Sequence, residues 1–307
     1  MSLAIVIPVY KIEFLEEALK SIANQTCKDF TLYIGDDCSP HNIKKVVKKF
    51  EREVNIVFKR FDTNLGGQDL VAQWERCIDL IGQEEWIWLF SDDDIMAATC
   101  VEKFYEALEE TSHSSYLYHF NIQTIGEQGE ILKKLPRFPK KLTSLEFFEK
   151  RSSNELISFV VEFIFNKEVF LKKGRFQNFD LAWASDHATW IKLSENNLIY
   201  TIDDALVYWR KSALNISPNT HNIKMAIRKI NASRAYYLWV WQFFDDIGKK
   251  VLIKSFLNNI KEYNQIVPWQ DFKGNIIQFM NQIGSNYSNL ALVYMYIHRL
   301  YKKVKAN

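Results

Sequence analysis

The sequence predicts an α/β fold in which helices cover both faces of a mostly parallel β-sheet, followed by a helical C-terminal region. Two patterns carry this prediction. Short apolar runs alternate with helical patterns over residues 1–110, as in chains that build parallel sheets through right-handed crossovers. From residue 221 onward the pattern is helical, and a chain of 307 residues, 48% of them hydrophobic and 25% charged, has an ordinary globular composition.

Each element of the first half follows from the spacing of apolar residues. A continuous apolar run, typical of a strand buried on both faces, predicts a strand at residues 3–7, and further mostly apolar segments predict strands at 30–34, 55–58, 86–90 and 116–122. Apolar residues three or four positions apart predict helices at residues 15–22, 43–50, 70–81 and 101–108. Further along the chain, the same reading predicts a strand at 159–165, a helix at 186–193 and a strand or hairpin at 199–209.

Capping residues predict where three helices begin. Ser39 as N-cap and Pro40 at the first helical position predict the start of the second helix. Thr99 with Glu102 forms a predicted capping box. Thr143 with Glu146 forms a second predicted capping box, at the start of a further helix.

The sequence predicts neither secretion nor a membrane span. The first eight residues lack a basic region and a cleavage site and resemble a buried strand. The longest mostly apolar stretch, residues 235–244, is half the ~20 residues that a spanning helix needs. The four cysteines show neither CxxC nor zinc-ligand spacing, which suits reduced thiols in the cytoplasm.

Charge is unevenly distributed along the chain. Residues 218–307 hold 13 Lys and Arg against 4 Asp and Glu, whereas residues 1–217 hold 26 against 33. A basic, aromatic-rich region on an acidic body suits peripheral docking on the anionic inner face of the cell membrane, and the alternative is a packing or dimerisation element. No nucleic-acid partner is expected, because no DNA- or RNA-recognition motif accompanies the charge.

Two acidic motifs follow predicted strands, at the sheet edge where ligands of such folds bind. Asp92, Asp93 and Asp94 follow the fourth strand, and Asp36-Asp37 follows the second. Adjacent carboxylates repel unless a cation or hydrogen bonds compensate, and a hard divalent ion shared with substrate phosphates is one such compensation. A solvated acidic loop that caps the next helix is the alternative. Neither GxGxxG nor GxxxxGK[ST] occurs, so dinucleotide and P-loop sites are not predicted.

Further motifs stand in a fixed order around these carboxylates. The series is Ile7-Pro8-Val9-Tyr10, Ser21 with Gln25-Thr26, Asp36-Asp37, Asn64 with Gly66, Ser91-Asp92-Asp93-Asp94, Ser185-Asp186, Tyr208-Trp209-Arg210 and Asn215-Ile216-Ser217. In this order and spacing the motifs resemble the family 2 glycosyltransferases over residues 1–217. The resemblance implies the Rossmann-like GT-A fold of nucleotide-diphospho-sugar transferases.

The resemblance also implies roles for single residues in an inverting transfer from a nucleotide-diphospho-sugar. Asp37 would contact the nucleobase, with uracil expected, and Asp92 the ribose. Asp93, assisted by Asp94, would ligate Mn²⁺ or Mg²⁺ on the diphosphate, and Asp186 would be the general base. The other implied donor-site residues are Pro8, Val9, Tyr10, Asn64, Gly66 and Arg210, the last standing near where the family often has His. His187 beside the predicted base is a candidate for assisting it, with a solvated or helix-capping histidine as the alternative. Trp183 and Trp190 flank the base and are candidates for sugar stacking, with core packing as the alternative.

The expected organisation is a glycosyltransferase domain at 1–217 and a helical region at 218–307. The domain would consist of a nucleotide-sugar-binding half (1–125) and an acceptor-binding half (126–217). Its expected partners are the donor and a glycan or lipid-linked acceptor, in cell-surface polysaccharide synthesis. One alternative is a sugar-phosphate nucleotidyltransferase, although the glycine-rich, basic first loop of that class is missing. The other is a non-catalytic glycan-binding or scaffold protein.

Overall fold

The computed structural model describes residues 2–213, 215 and 222–306. The strands found there are β1 (Leu3–Val9), β2 (Phe30–Asp36), β3 (Ile56–Arg60), β4 (Trp86–Leu89), β5 (Ile95–Met96), β6 (Leu117–Ile125), β7 (Ile131–Lys134), β8 (Lys141–Leu142), β9 (Phe163–Asn166) and β10 (Ile199–Arg210). The α-helices are α1 (Leu15–Ala23), α2 (Ile43–Val47), α3 (Leu70–Ile78), α4 (Cys100–Glu110), α5 (Ser144–Ser152), α6 (Lys167–Lys172), α7 (Ser185–Leu193), α8 (Ile223–Phe243), α9 (Lys249–Ile260), α10 (Trp269–Gln282) and α11 (Ser288–Ala306).

The strands form one mixed sheet in the order β3-β2-β1-β4-β9-β6-β10-β5, with β7 on β6 and β8 on β10. The first four strands of this order are parallel to one another, β9 runs antiparallel to both of its neighbours, and β6 and β10 are parallel. The α/β fold with a mostly parallel sheet, predicted from the sequence, is therefore confirmed. Because β2, β1 and β4 are adjacent and parallel, the segments that follow them lie at the same edge of the sheet.

Helices cover both faces of this sheet because side chains of a strand alternate between its faces. Leu3, Ile5 and Ile7 of β1 belong to a buried cluster that also contains apolar residues of α1, α2 and α4. Helix α3 contacts β1, β2 and β4 through a separate set of residues that includes the buried Val71 and Cys77. Burial on both faces explains why residues 3–7 of β1 are continuously apolar.

Two predicted helix caps are wrong, and one is confirmed. The side chain that caps α2 is Asn42, which accepts the backbone N–H of Lys45 at 3.2 Å, while the Ser39 hydroxyl donates instead to the Tyr10 carbonyl at 2.6 Å. Thr99 makes no side-chain cap on α4.

The capping box at Thr143 forms as predicted. The backbone N–H of Thr143 donates to the Glu146 carboxylate at 2.8 Å, and the N–H of Glu146 donates to the Thr143 hydroxyl at 3.2 Å. In α4, Glu102 would complete the predicted box at Thr99, but its carboxylate accepts instead from the Thr26 hydroxyl at 2.7 Å. A tertiary partner thus replaces the local one.

The chain divides into two compact units. The first comprises Met1–Arg151, Glu155–Gln177 and Thr189–Ser212, and it contains the whole sheet. The second comprises Ser152–Asn154, Asn178–Ala188 and Ala213–Asn307. The predicted boundaries at 125/126 and 217/218 stay predictions, and Ile216 and Ser217 of the last motif lie outside the described residues.

The second unit consists mainly of helices α8 to α11, which agrees with the helical pattern of the sequence. Phe256 and Phe279 pack together in its core, with ring centroids 4.1 Å apart. Among the described residues, no helix combines the length and apolar character that crossing a bilayer requires.

All four cysteines carry free thiols, and burial raises the pKa of Cys77 and of Cys100 to about 12.

Candidate functional site

Three consecutive aspartates follow β4 at the carboxyl edge of the parallel strands. Asp92, Asp93 and Asp94 are buried, with 5%, 3% and 1% of their surface exposed. A carboxylate loses its hydration on burial, so it needs hydrogen bonds or a cation in the protein. The partners of these side chains therefore define what the site can do.

Asp92 is fixed by the end of β1. Its Oδ2 accepts the backbone N–H groups of Tyr10 at 3.1 Å and of Lys11 at 2.9 Å. Burial raises the pKa of the Asp92 carboxyl, and the charge of Asp93 adds to that effect, while Lys11 and the two N–H groups oppose it. The structure thus brings the predicted Tyr10 and Asp92 together through the Tyr10 backbone. The Tyr10 side chain itself is exposed.

Lys11 is a site residue that the sequence analysis missed. Its Nζ forms an ion pair with Asp93 Oδ2 and lies 3.5 Å from Asp92 Oδ1. Burial lowers the pKa of the Lys11 ammonium, but the charges of Asp92 and Asp93 outweigh burial and raise it overall. The Ser91 hydroxyl donates to the other oxygen of Asp93. The sequence held one indication of this role: Lys11 directly follows Tyr10, just beyond the end of the first strand and so at the edge where ligands are expected.

Arg210, at the end of β10, holds the same segment from another direction. Its backbone N–H donates to Asp94 Oδ1 at 2.7 Å, and its Nε donates to the Asp93 carbonyl at 2.8 Å. The remaining guanidinium nitrogens donate to the carbonyls of Gly126 and Glu127 and to the carboxylate of Glu17. The side chain is fully buried, so in this structure Arg210 positions the aspartates. Its contact with a donor phosphate stays a prediction.

Asp94 is the most deeply buried of the three aspartates. Burial raises the pKa of its carboxyl well above the usual value, and the neighbouring Asp93 charge raises it further. The Arg210 N–H works in the opposite direction. This arrangement favours an added positive charge near Asp93 and Asp94, because a cation would offset both effects.

The predicted nucleobase residues form a second cluster beyond the end of β2. Asp37 Oδ1 accepts the N–H of Leu65 at 2.7 Å, and Oδ2 accepts the N–H of Gly66 at 2.8 Å and the Asn64 amide at 3.1 Å. A Cβ on Gly66 would lie 2.8 Å from Asp37 Oδ2, so the close approach of backbone and carboxylate requires glycine there. The structure thus brings Asp37, Asn64 and Gly66 together.

Arg76 of α3 completes this second cluster and was also missed from the sequence. Its guanidinium pairs with Asp37 Oδ1 and lies over the Phe61 ring, 4.0 Å from the centroid. It also donates to the Thr63 carbonyl at 2.9 Å. The helical spacing of α3 did not reveal Arg76, because its partner is 39 residues away in sequence.

Pro8 and Val9 link the two clusters through β1. Pro8 pairs with Gly35 in β2, and the last pair between β1 and β4 is Val6 with Leu89, so the proline lies beyond the β4 ladder. The Val9 carbonyl accepts the N–H of Asp37 at 2.9 Å. One strand end therefore contacts both acidic segments.

Asp186, the predicted base, lies in the first turn of α7, within the second unit. Its Oδ2 is 3.8 Å from His187 Nε2, and both side chains are largely buried. Asp180, another carboxylate nearby in sequence, is held by Arg228 through bonds of 2.9 and 2.6 Å, and this arginine lowers the Asp180 pKa. The two carboxylates thus differ in their described contacts: Arg228 holds Asp180, whereas the described contact of Asp186 is with His187.

The two tryptophans beside Asp186 differ in exposure. Trp190 is fully buried and stacks on Phe163, with ring centroids 4.8 Å apart, so it is a core residue and not a sugar platform. The Trp183 indole is half-buried; it donates to the Ser233 hydroxyl at 3.0 Å, and Lys229 Nζ lies 4.8 Å from its ring centroid.

Comparison with protein families decides the identity of the first unit. Residues 4–170 match the model of glycosyl transferase family 2. The chain belongs to glycosyl transferase family 2. The matched residues contain both acidic clusters and Lys11, whereas Arg210 and Asp186 lie beyond the match.

Individual relatives of this family 2 chain are distant. An uncharacterized glycosyltransferase of Methanocaldococcus jannaschii is 27% identical over 222 residues, which cover 71% of this chain and 70% of the relative. The GalNAc(5)-diNAcBac-PP-undecaprenol beta-1,3-glucosyltransferase of Campylobacter jejuni is 21% identical over 203 residues, covering 64% of this chain and 61% of that enzyme.

A solved structure shows the same fold. TarS residues 1–349 of S. aureus, in complex with UDP-GlcNAc, superpose with a TM-score of 0.62 at 14% identity, covering 99% of this chain and 92% of that one. The chain covers 53% of a longer TarS chain, with a TM-score of 0.67. The GT-A-like fold expected from the sequence is therefore confirmed.

The donor set of the family 2 site fits a divalent cation that is shared with a ligand. Among the residues that the structure describes, no three His, Cys, Asp or Glu side chains form a group able to hold a metal by themselves. Mg²⁺ is typically bound by one or two carboxylates together with substrate phosphates. Asp93 and Asp94 supply two such carboxylates, and both are buried.

Proposed function

We propose that this chain is an inverting, metal-dependent glycosyltransferase that moves a sugar, of the hexose type, from a nucleotide-diphospho-sugar to an acceptor hydroxyl. A UDP-sugar is the expected donor, as in the TarS complex. The observation that carries the proposal is the pair of acidic clusters, one at Asp37 and one at Asp92 to Asp94, joined by the end of β1. Their separation along the sheet edge offers one position for a nucleoside and one for a charged diphosphate.

The residues of the first unit bind and orient the donor. Asp37, held by Asn64 and Gly66, presents a fixed carboxylate toward the nucleobase, and Asp92 accepts from the ribose. A divalent cation, Mn²⁺ or Mg²⁺, bound by Asp93 and Asp94 with the diphosphate would stabilise the charge of the departing nucleoside diphosphate.

Asp186 acts on the acceptor in this proposal. Its carboxylate takes the proton of the acceptor hydroxyl as that oxygen attacks the anomeric carbon and the bond to the diphosphate breaks. One base on the acceptor side suits inversion. His187, 3.8 Å from Asp186, is placed to hold the carboxylate in position.

The acceptor is a glycan or a lipid-linked saccharide of cell-surface polysaccharide synthesis. The Campylobacter relative, whose name specifies an undecaprenol-linked acceptor, supports this class. The cytoplasmic face of the cell membrane would then be the working surface.

Helix α11 supports peripheral docking on that surface. One face of α11 carries large apolar side chains that are each 47% to 67% exposed: Leu290, Val293, Tyr294, Ile297, Leu300 and Tyr301. Arg299 and Lys302 lie on the same helix, and residues 218–307 hold 13 basic residues against 4 acidic ones. An exposed apolar stripe with basic neighbours complements an anionic bilayer.

Donor hydrolysis assays distinguish this function from its two alternatives. Release of UDP from UDP-sugars in the presence of Mn²⁺ is expected, whereas a nucleotidyltransferase would release pyrophosphate from a nucleoside triphosphate and a sugar phosphate. A protein that binds glycans but turns over neither substrate set would be the non-catalytic alternative.

A further inference from the structure

Lys11 occupies the position of a counter-cation within the acidic cluster. Its Nζ pairs with Asp93 Oδ2 and lies 3.5 Å from Asp92 Oδ1. The chain itself therefore supplies one positive charge to the cluster. That charge touches an oxygen of Asp93, one of the two carboxylates expected to ligate the metal.

The backbone of Lys11 is held in place by a hydrogen bond, whereas its side chain is partly exposed to solvent. Its N–H donates to Asp92 at 2.9 Å, which fixes the backbone at the end of β1. Its side chain remains 26% exposed, whereas the Asp92 and Asp93 side chains are 7% and 4% exposed. The Lys11 side chain thus has more contact with solvent than either carboxylate, and its four-carbon stem is flexible, so we take Lys11 as the partner that can move.

We propose that Lys11 is a resident counter-cation that competes with the divalent metal and then pairs with the donor diphosphate. The inference rests on the metal-dependent function proposed above and adds a residue that tunes it. With a metal bound at Asp93, the Lys11 ammonium would move away from this carboxylate, because two cations at one carboxylate repel each other. The displaced ammonium needs an anion, and the donor diphosphate is the anion that this site recruits.

This exchange predicts that metal and nucleotide bind with positive coupling. If a metal bound without nucleotide, the Lys11 ammonium would move into solvent and gain no anionic partner. Metal together with UDP gives the ammonium a new partner, so each ligand raises the affinity for the other by the same factor. Lys11 is thus a positioning and gating residue for the metal.

The test measures Mn²⁺ binding without catalysis. In Lys11→Met, Mn²⁺ affinity without nucleotide is expected to rise about tenfold or more, since a competing charge is gone. In the same variant, UDP affinity at saturating Mn²⁺ is expected to fall, because the diphosphate loses an ammonium partner. A merely structural lysine would not shift these two affinities in opposite directions. Electron paramagnetic resonance of free Mn²⁺ and calorimetry with UDP give the two readouts.

Two further variants keep the test decisive. Lys11→Gln retains a hydrogen-bond donor without the charge, and it should repeat both changes if Lys11→Met folds poorly. Lys173→Met is the matched control, because Lys173 also pairs with a carboxylate, that of Glu195, and is 32% exposed but lies outside the acidic cluster. It should change neither affinity.

The outcomes separate the two proposals. Equal Mn²⁺ affinity in the parent and both Lys11 variants, with Mn²⁺ binding intact, would overturn the role of Lys11 alone. Absence of Mn²⁺ binding in the parent protein, even with UDP present, would instead refute the metal dependence on which the inference rests.

Discussion

At the residue scale, Asp186 carries the chemistry proposed on the acceptor side. Asp186→Asn keeps the shape of the side chain but accepts a proton poorly, so transfer should fall by about 10²–10⁴-fold, the usual range for loss of a general base. UDP-sugar affinity should stay at the parental value, because the base acts after donor binding. Steady-state rates and donor calorimetry on the same preparation check both expectations.

Asp180→Asn is the matched control for this experiment. Arg228 holds the Asp180 carboxylate, which makes its described role structural. Parental transfer by Asp186→Asn combined with a large loss in Asp180→Asn would move the base to Asp180.

A buried histidine gives a prediction for pH. His119 is fully buried, neither ring nitrogen has a hydrogen-bond partner among the described residues, and its ring stacks on Phe138 with centroids 3.8 Å apart. Burial lowers the pKa of His119 to about 3. In the unfolded chain the His119 side chain has the usual histidine pKa of about 6.5, so it takes up a proton at a higher pH than in the folded protein. His119 therefore lowers the free energy of unfolding as the pH falls from about 6.5 toward 3.

The variant His119→Met removes this titration while filling a similar volume. Between pH 7 and pH 5 the parent should lose about 2 kcal/mol more free energy of unfolding than the variant does. Urea unfolding at both pH values measures the difference, and His41→Gln, at an exposed histidine, is the control. Parallel pH profiles of the parent and His119→Met would show that His119 is protonated in the folded protein.

At the element scale, the helix caps show how far local sequence determines local structure. The Thr143 box forms because both of its partners belong to the same helical turn. The Thr99 box does not form, since Glu102 bonds to Thr26, which is distant in sequence. Ser39 loses its predicted capping role for the same reason, because its hydroxyl holds the end of β1.

These two threonines allow a matched test of capping. Thr143→Ala should lower the free energy of unfolding by about 1 kcal/mol, the typical cost of a lost N-cap. Thr99→Ala should cost much less, because Thr99 makes no side-chain cap bond. Chemical denaturation of both variants checks the difference, and equal losses would contradict the assignment of the caps.

The same distinction applies to the site. The strands and their ends follow from apolar runs, and a parallel sheet brings such ends to one edge, so the sequence predicted Asp37 and Asp92 to Asp94 at the edge where the structure has them. The partners of these carboxylates could not be predicted in that way. Lys11, Arg76 and Arg210 reach them across 39 to 117 residues: Arg76 is 39 residues from Asp37 and Arg210 is 117 from Asp93. Such contacts depend on how the elements pack.

At the scale of the whole molecule, the chain combines a family 2 unit with a helical unit that carries the exposed face of α11. If α11 docks on anionic lipid, co-sedimentation should be strong with vesicles containing anionic lipid, weak with neutral vesicles and reduced by high salt. Val293→Glu combined with Ile297→Glu should abolish the binding, because both residues lie on the exposed apolar face.

Ile131→Glu is the control for the membrane experiment, since Ile131 is 56% exposed but belongs to β7 in the first unit. Equal recovery on neutral and anionic vesicles, or binding that high salt leaves unchanged, would rule out electrostatic docking. Concentration-dependent cross-linking that the α11 variant abolishes would then identify this face as a dimer contact.

In the proposed mechanism, the buried aspartates after β4 bind the donor diphosphate together with a divalent cation. Calorimetry of UDP binding in Mn²⁺ and in EDTA tests it most directly, with Asp93→Ala as the site variant and Glu84→Gln, a buried carboxylate bonded to Tyr33 outside the site, as the control. UDP is expected to bind much more tightly with Mn²⁺ than with EDTA in the parent and the control, and Mn²⁺ is expected to have no effect on UDP binding in Asp93→Ala. Equal UDP affinity in Mn²⁺ and EDTA for the parent protein, or no UDP binding in either, would contradict it.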